Sequence, residues 1–267
     1  MSLFHAILLG SIQGLTEFLP VSSSGHLVLL QHYLGFEGPD VVFDTCFHLG
    51  TLAAVCMCFR DDIRRMGCAL FRLDFRSTSF RLFLLIFIGT IPTAVIGLVF
   101  RDFFEGLFSR IIPAALMLLV TGTLLYMADK VKKTRASAGI VRKTDALVIG
   151  FVQGLSIFPG LSRSGSTIST GIFLGLERNS AARFSFLLSI PSIAGAGLLQ
   201  MKRVVELDDG LWPPLLLGTL VSSVTGYVAI KVLLRIVARQ RLSLFSYYCW
   251  LVGCGVLLVS LIRIFGY

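Results

Sequence analysis

The sequence predicts an all-α polytopic membrane protein, an inverted repeat of six transmembrane helices plus two re-entrant helical hairpins. Three observations predict it. Of 267 residues, 55% are hydrophobic and only 15% charged, with a mean hydropathy of +0.84, whereas soluble domains carry about 25% charged residues. Six apolar stretches approach the roughly 20 residues a helix needs to cross the hydrocarbon of a bilayer. Two further apolar regions are interrupted midway by segments that resemble each other. This composition excludes a disordered chain, a secreted disulfide scaffold and a cytosolic enzyme.

The six expected crossings are Val41–Phe59, Leu82–Phe100, Ile111–Ala128, Phe184–Met201, Trp212–Val232 and Leu244–Ile262. The interrupted regions are about Leu3–Leu34, broken at Pro20-Val-Ser-Ser-Ser-Gly25, and Ala146–Leu176, broken at Pro159-Gly-Leu-Ser-Arg-Ser-Gly165. Each half is too short to span, which suits a hairpin that enters and leaves on one side. Non-helical backbone at membrane depth survives only where protein or a water-filled cavity satisfies its polar groups.

Loop charge sets the expected sidedness, because cytoplasmic loops collect Lys and Arg. Arg60–Arg81 carries six Arg, Lys130–Lys143 six Lys/Arg and Arg235–Arg241 three Arg, and all three are assigned to the cytoplasm. Arg101–Arg110 and Met201–Leu211 carry two basic residues each, offset by acids, and are placed outside together with both termini. The formal charge of +9 is thus a loop property. No basic face remains for nucleic acid once the spans are removed. The six cysteines lack metal-type spacing and mostly read as small core residues. Met1–Leu15 lacks the basic start of a cleavable signal peptide.

The chain reads as one membrane domain, 1–267, with internal repeats at about 1–130 and 144–267. A shift of 140 aligns Gly10–Gly25 with Gly150–Gly165, with eight of sixteen positions identical. A shift of 129 aligns Gly89, Thr90, Val95, Gly97 and Val99 with Gly218, Thr219, Val224, Gly226 and Val228. A unit of one hairpin and three crossings forces the second unit to enter upside down. Such architectures place their site where broken helices meet at the repeat interface.

The candidate chemistry lies at the breaks. Gln13 and Glu17 are one helical turn apart, and a carboxylate at this depth costs roughly 2.5–3.5 kcal/mol on insertion scales, so it is expected to be functional. Ser22, Ser23, Ser24 and Gly25 open a second helix, whose N–H groups and dipole suit phosphate, although the serines also read as caps. In the second break, Ser162, Arg163, Ser164, Gly165 and Thr167 follow the same pattern, with Arg163 where the first has Ser23. A guanidinium grips phosphate bidentately, with an ion pair to Glu17 as the structural alternative, compatible with it in the empty state. His26 is placed to act as base, acid or nucleophile. Asp44 and His48, one turn apart on the first crossing, are candidates for a supporting role, and His5 and His32 are assigned none.

The segments Gln13-Gly-Leu-Thr-Glu17-Phe-Leu-Pro-Val-Ser-Ser-Ser-Gly-His26 and Pro159-Gly-Leu-Ser-Arg163-Ser-Gly-Ser-Thr167 closely resemble the two signatures of the bacterial undecaprenyl-diphosphate phosphatase, or bacitracin-resistance, family. The similarity runs nearly end to end, through Phe43-Asp44…His48-Leu-Gly-Thr51 and Phe184–Pro191. The resemblance implies removal of the terminal phosphate from a polyprenyl (C55) diphosphate lipid, recycling the carrier for peptidoglycan, in the bacterial inner membrane with the site facing the periplasm. It further implies a catalytic set of Glu17, Ser23, His26 and Arg163. Gln13 stands where many members have a second Glu, so a divalent cation (Mg or Ca) would rest on Glu17, substrate oxygens and water. Ser23 activated by His26 is the expected nucleophile, with direct attack by water left open, as is assembly as a homodimer. A secondary transporter or lipid flippase for an anionic substrate would use the same architecture. A different lipid phosphatase class with Pro-Ser-Gly-His lacks its second histidine here, since none follows His48.

Overall fold

The computed structural model describes residues 2–33, 41–132, 134–135, 139–205, 209–239 and 241–265. The chain's two ends (1 and 266–267) and parts of three loops used for sidedness (133 and 136–138, 206–208, and 240) lie outside the described residues. Twelve α-helices occur among those described: α1 (Leu3–Phe18), α2 (Ser23–Tyr33), α3 (Val41–Cys58), α4 (Arg60–Phe71), α5 (Thr78–Val99), α6 (Arg101–Glu105), α7 (Ile111–Lys130), α8 (Lys143–Leu155), α9 (Arg163–Phe173), α10 (Arg178–Val205), α11 (Trp212–Ala238) and α12 (Ser243–Phe265).

Helices α5, α7, α10, α11 and α12 are each long and apolar enough to cross a bilayer. The 18 residues of α3 rise about 27 Å, close to one hydrocarbon thickness. The chain then bends by 78° into α4. The segment expected as a loop, Arg60–Arg81, is therefore largely helical. Three of its six Arg, Arg60, Arg64 and Arg65, lie on α4, an amphipathic helix turned away from α3 and tied down by an ion pair from Arg183 of α10 to Asp62. Several crossings also outrun their expected bounds, α10 starting at Arg178 and α11 ending at Ala238. Backbone hydrogen bonding does not stop where the apolar side chains do. It stops at a cap, as at Ser77, whose hydroxyl accepts the Phe80 N–H at 3.2 Å to start α5.

The interrupted regions form two helical hairpins, α1–α2 and α8–α9. Their arms of 16, 11, 13 and 11 residues rise about 24, 17, 20 and 17 Å, short of the roughly 30 Å hydrocarbon. The hairpins pack reciprocally on the crossings, with α1 along α11 and α8 along α5, while α3 packs on α10 and α11 and α7 on α12. The reciprocal contacts use the glycines matched by the sequence shifts. A Cβ on Gly10 would lie 2.4 Å from the Gly218 carbonyl oxygen, and one on Gly150 would lie 1.9 Å from that of Gly89. Where lipid tails are as apolar as leucine, close backbone approach supplies the association. Beneath the hairpins, the ring of Phe18 meets Phe186 edge-on at 5.6 Å. The cysteines divide between core and surface: Cys46 and Cys249 are buried as expected, but Cys68 and Cys254 are exposed, because each sits on the outward face of its helix.

Gly10→Ala and Gly150→Ala should each lower stability by about 1–3 kcal/mol through overpacking. Gly67→Ala, in α4 with nothing within 4 Å of the added Cβ, should leave stability unchanged or raise it by up to about 1 kcal/mol. Unfolding midpoints of the three variants in detergent check this ordering.

Candidate active site

Helix α1 carries Gln13 and Glu17 on its buried face and ends at Phe18, with Leu19 donating its N–H back to the Leu15 carbonyl. Pro20 follows, and Ser22 turns the chain by adopting φ of 70°. That left-handed conformation costs a non-glycine residue about 1–2 kcal/mol. Both polar groups of Ser22 then serve the start of α2: its hydroxyl accepts the Gly25 N–H at 3.2 Å and its carbonyl the His26 N–H at 3.2 Å. In the second hairpin, Ser162 does the same for α9, accepting from the Gly165 N–H at 3.0 Å and the Ser166 N–H at 2.8 Å. Ser22 also meets the Ser24 hydroxyl, and Ser162 that of Ser164, each at 3.2 Å. These four serines were expected to offer hydroxyls to a ligand. Ser22 and Ser162 accept first-turn N–H groups, which have no intrahelical acceptor, and Ser24 and Ser164 lie against those two hydroxyls. The N–H groups of Ser23 and Ser24, and of Arg163 and Ser164, lie in those first turns.

The two turns meet. A Cβ on Gly25 would stand 3.0 Å from the Gly160 Cα, and one on Gly165 would stand 3.3 Å from the Pro20 Cβ. Each tip is also held by the last crossing of the other half: Cys249 on α12 donates to the Pro20 carbonyl at 3.7 Å, and Thr121 on α7 to the Gly160 carbonyl at 3.0 Å. Thr121 in turn accepts the Ser162 N–H at 2.9 Å. Gly160 is left-handed at φ of 91°, and a Cβ there would strike the Ala114 carbonyl oxygen at 2.0 Å.

This contact brings the first residue of α2 and the first residue of α9 to the same carboxylate. Ser23 Oγ donates to Glu17 Oε2 at 2.5 Å, while Arg163 Nη2 donates to Glu17 Oε1. Gln13 Nε2 donates to Oε2 at 3.0 Å, and His48 Nε2 lies 3.5 Å from the same oxygen. His48 is aimed by its Nδ1, which donates to the Asp44 carbonyl at 2.7 Å. The Asp44 carboxylate accepts from Gln31 Nε2 at 2.9 Å. Glu17 is 6% exposed, and the Arg163 side chain 16%. A charge so placed persists only with a partner of opposite sign and with its remaining lone pairs satisfied. The cluster meets both conditions.

Two expected residues fall elsewhere. His26 does not touch Ser23: its Nδ1 lies 2.8 Å from the Ser22 carbonyl and its Nε2 2.7 Å from the Tyr248 hydroxyl of α12. The short i to i+4 reach back to Ser22 turns the ring away from Glu17. Thr167 is fully buried, its hydroxyl bonded back to the Arg163 carbonyl at 2.7 Å and lying 2.6 Å from that of Ser185 on α10. Gln31, Thr121, Tyr248 and Cys249 escaped the sequence reading. Only the polar Thr121-Gly-Thr123 inside an apolar crossing gave any signal.

A resident divalent cation fits this donor set poorly. Such ions take six or more ligands, mostly oxygens, and here one carboxylate has both oxygens engaged, with Gln13 in place of a second acid. Among the described residues, no group of three or more His, Cys, Asp or Glu could hold a metal.

Comparison with known proteins agrees in extent with the sequence signatures. The family model for the bacitracin resistance protein BacA matches residues 6–255. An undecaprenyl-diphosphatase of Halothermothrix orenii is 43% identical over 262 residues, covering 97% of this chain and 99% of its own. One from Syntrophotalea carbinolica is 46% identical over 255 residues (95% and 97%), and one from Methanosphaera stadtmanae is 40% identical over 281 (98% and 99%).

Removing either partner of the buried pair strands the other charge. Glu17→Ala and Arg163→Ala should each destabilise the fold by about 3–5 kcal/mol, and the double variant by less than the sum of the two. Unfolding midpoints of the three proteins in detergent measure the coupling.

Proposed function

The chain belongs to the bacitracin resistance protein BacA family and is a membrane phosphatase that hydrolyses undecaprenyl diphosphate to undecaprenyl phosphate and phosphate, and we propose that Glu17, Ser23, His26 and Arg163 carry this reaction. The activity recycles the lipid carrier for peptidoglycan and underlies bacitracin resistance. The observation that carries the assignment of residues is the convergence of Ser23 and Arg163 on the two oxygens of one buried carboxylate.

Phosphoryl transfer asks mainly for positioning and for neutralisation of charge on the transferred group. Arg163 supplies a permanent cation. Only its Nη2 is committed to Glu17, so the remaining guanidinium donors can take the terminal phosphate alongside the first N–H groups of α2 and α9. The arriving anion competes with Glu17 for the guanidinium and thereby frees the carboxylate to act as a base. Ser23 Oγ then attacks the terminal phosphorus, its proton passing to Glu17 across the existing 2.5 Å contact. The Oγ–P bond forms, the bond from phosphorus to the bridging oxygen breaks, and undecaprenyl phosphate departs. In the second step, water attacks the phosphoserine with His26 accepting its proton, the Ser23–phosphorus bond breaks as Glu17 returns its proton to Ser23 Oγ, and inorganic phosphate leaves, taking up the proton held by His26.

This sequence makes Glu17, not His26, the activator of Ser23. Support comes from the hydrogen bond Ser23 makes to Glu17 and from the orientation of His26 toward Tyr248. His48 assists by holding Glu17 from the side opposite Arg163. We place the site toward the periplasm and both termini outside, on the loop charges, with the basic α4 on the cytoplasmic side. Any divalent cation would be held chiefly by substrate oxygens with Glu17 as the protein carboxylate nearest to them, and would supply charge neutralisation to the diphosphate.

Phosphate release from a C55 diphosphate by detergent-solubilised protein tests the whole reading, because transport would need a sealed membrane. Glu17→Ala and Ser23→Ala should lose on the order of 100-fold or more in kcat. Arg163→Lys keeps the charge and the fold but loses the fork, and should retain only a few per cent of activity. Rapid-quench labelling should trap phosphoserine at Ser23, and its absence at all times would exclude the covalent route. Chelation with EDTA should abolish turnover and added Mg²⁺ or Ca²⁺ should restore it, without a change in the unfolding midpoint of the substrate-free protein.

A further inference from the structure

The contact between His26 and Tyr248 has no part in the reaction as described so far. We infer that Tyr248 is a positioning residue, which fixes the ring plane and tautomer of His26 so that Nε2 is its basic atom. This rests on the reading of His26 as the base for the second step.

The hydrogen bonds set the tautomer. The Ser22 carbonyl can only accept, so Nδ1, 2.8 Å away, carries the proton. In the neutral ring Nε2 then holds a lone pair, and the Tyr248 hydroxyl at 2.7 Å donates to it. The two rings lie nearly parallel, at an interplanar angle of 7° with centroids 5.6 Å apart. His26 is therefore held at both nitrogens, with its ring plane aligned to that of the phenol. Tyr248 is 42% exposed, and its neighbour Cys249 anchors the Pro20 carbonyl. The hydroxyl thus sits on the open side of the first turn, where an arriving water or phosphate oxygen can exchange with it on Nε2.

The matching place in the other half lacks this pair. The counterpart of His26 at the 140-residue shift is Ser166, whose buried hydroxyl has no hydrogen-bond partner among the described residues. Cys249 and Thr121 hold the two turns in the same manner, and the residue preceding Thr121 on α7 is Val120, where α12 has Tyr248. If the α12 position served only to pack the turn, an apolar residue would do, as it does on α7. The phenol occurs on the side that has a histidine to orient.

A kinetic cycle with His26→Ala, Tyr248→Phe and the double variant tests this. Tyr248→Phe keeps the ring and removes only the donor. It should lower kcat about tenfold, the scale of one lost hydrogen bond, with KM changed less than about twofold and the unfolding midpoint unchanged. On the His26→Ala background the same substitution should cost nothing further. In parallel, ¹⁵N NMR of histidine-labelled protein should find His26 protonated at Nδ1 in the wild type and as a mixture of tautomers in Tyr248→Phe, a readout independent of turnover. Wild-type kcat in Tyr248→Phe, an equal loss with and without His26, or an unaltered tautomer would each overturn the inference. Full activity of His26→Ala would instead remove the role given to His26 itself.

Discussion

One negative charge at membrane depth organises this molecule. Glu17 sits at the end of a helix too short to cross, with its carboxylate 6% exposed, where an unpaired ion is untenable. The protein answers with a cation from a residue 146 positions further along the chain, a hydroxyl, an amide and an imidazole. The hydroxyl, the amide and the imidazole come from the first half, but the cation cannot arrive unless the two interrupted hairpins meet at their tips. The glycine contacts between the turns, the reciprocal packing of α1 on α11 and α8 on α5, and the anchoring of each turn by α7 or α12 all serve that meeting. The interaction that makes the buried acid tolerable also makes it a latent base, since an anion that draws Arg163 away restores its basicity.

We read the scaffold as two similar halves in which a handful of positions have diverged. The capping serines 22 and 162 and the glycines 25 and 165 perform the same local tasks at both turns. Ser23 opposite Arg163, Glu17 opposite Ile157 and His26 opposite Ser166 do not. Shared positions build the meeting point, and unshared ones divide the labour between reactive groups and a fixed positive charge.

Much of this was legible in the sequence, for physical reasons. Apolar length against bilayer thickness identified the crossings, and the breaks identified the hairpins, because exposed backbone at that depth needs a purpose. The cost of Glu17 singled it out, and the repeat pointed to Arg163 as its partner in space. What stayed hidden depends on rotamers and on distant crossings. Whether His26 turns toward Ser23 or back to Ser22 is a matter of side-chain torsion that spacing does not encode. Tyr248 in an apolar, aromatic-rich helix looks like any residue at a membrane interface, and Thr167 faces α10 because of helix rotation. The helical nature of α4 was masked by its charge, which read as loop until its apolar and basic faces were separated.

The most direct test of the central claim is an experimental structure of the protein with a non-hydrolysable diphosphate lipid analogue bound. The account predicts the terminal phosphorus over Ser23 Oγ, with the Arg163 guanidinium shared between the phosphate and Glu17 and the prenyl chain leaving toward lipid. An analogue bound with Arg163 still wholly on Glu17, or lodged away from both turns, would contradict it.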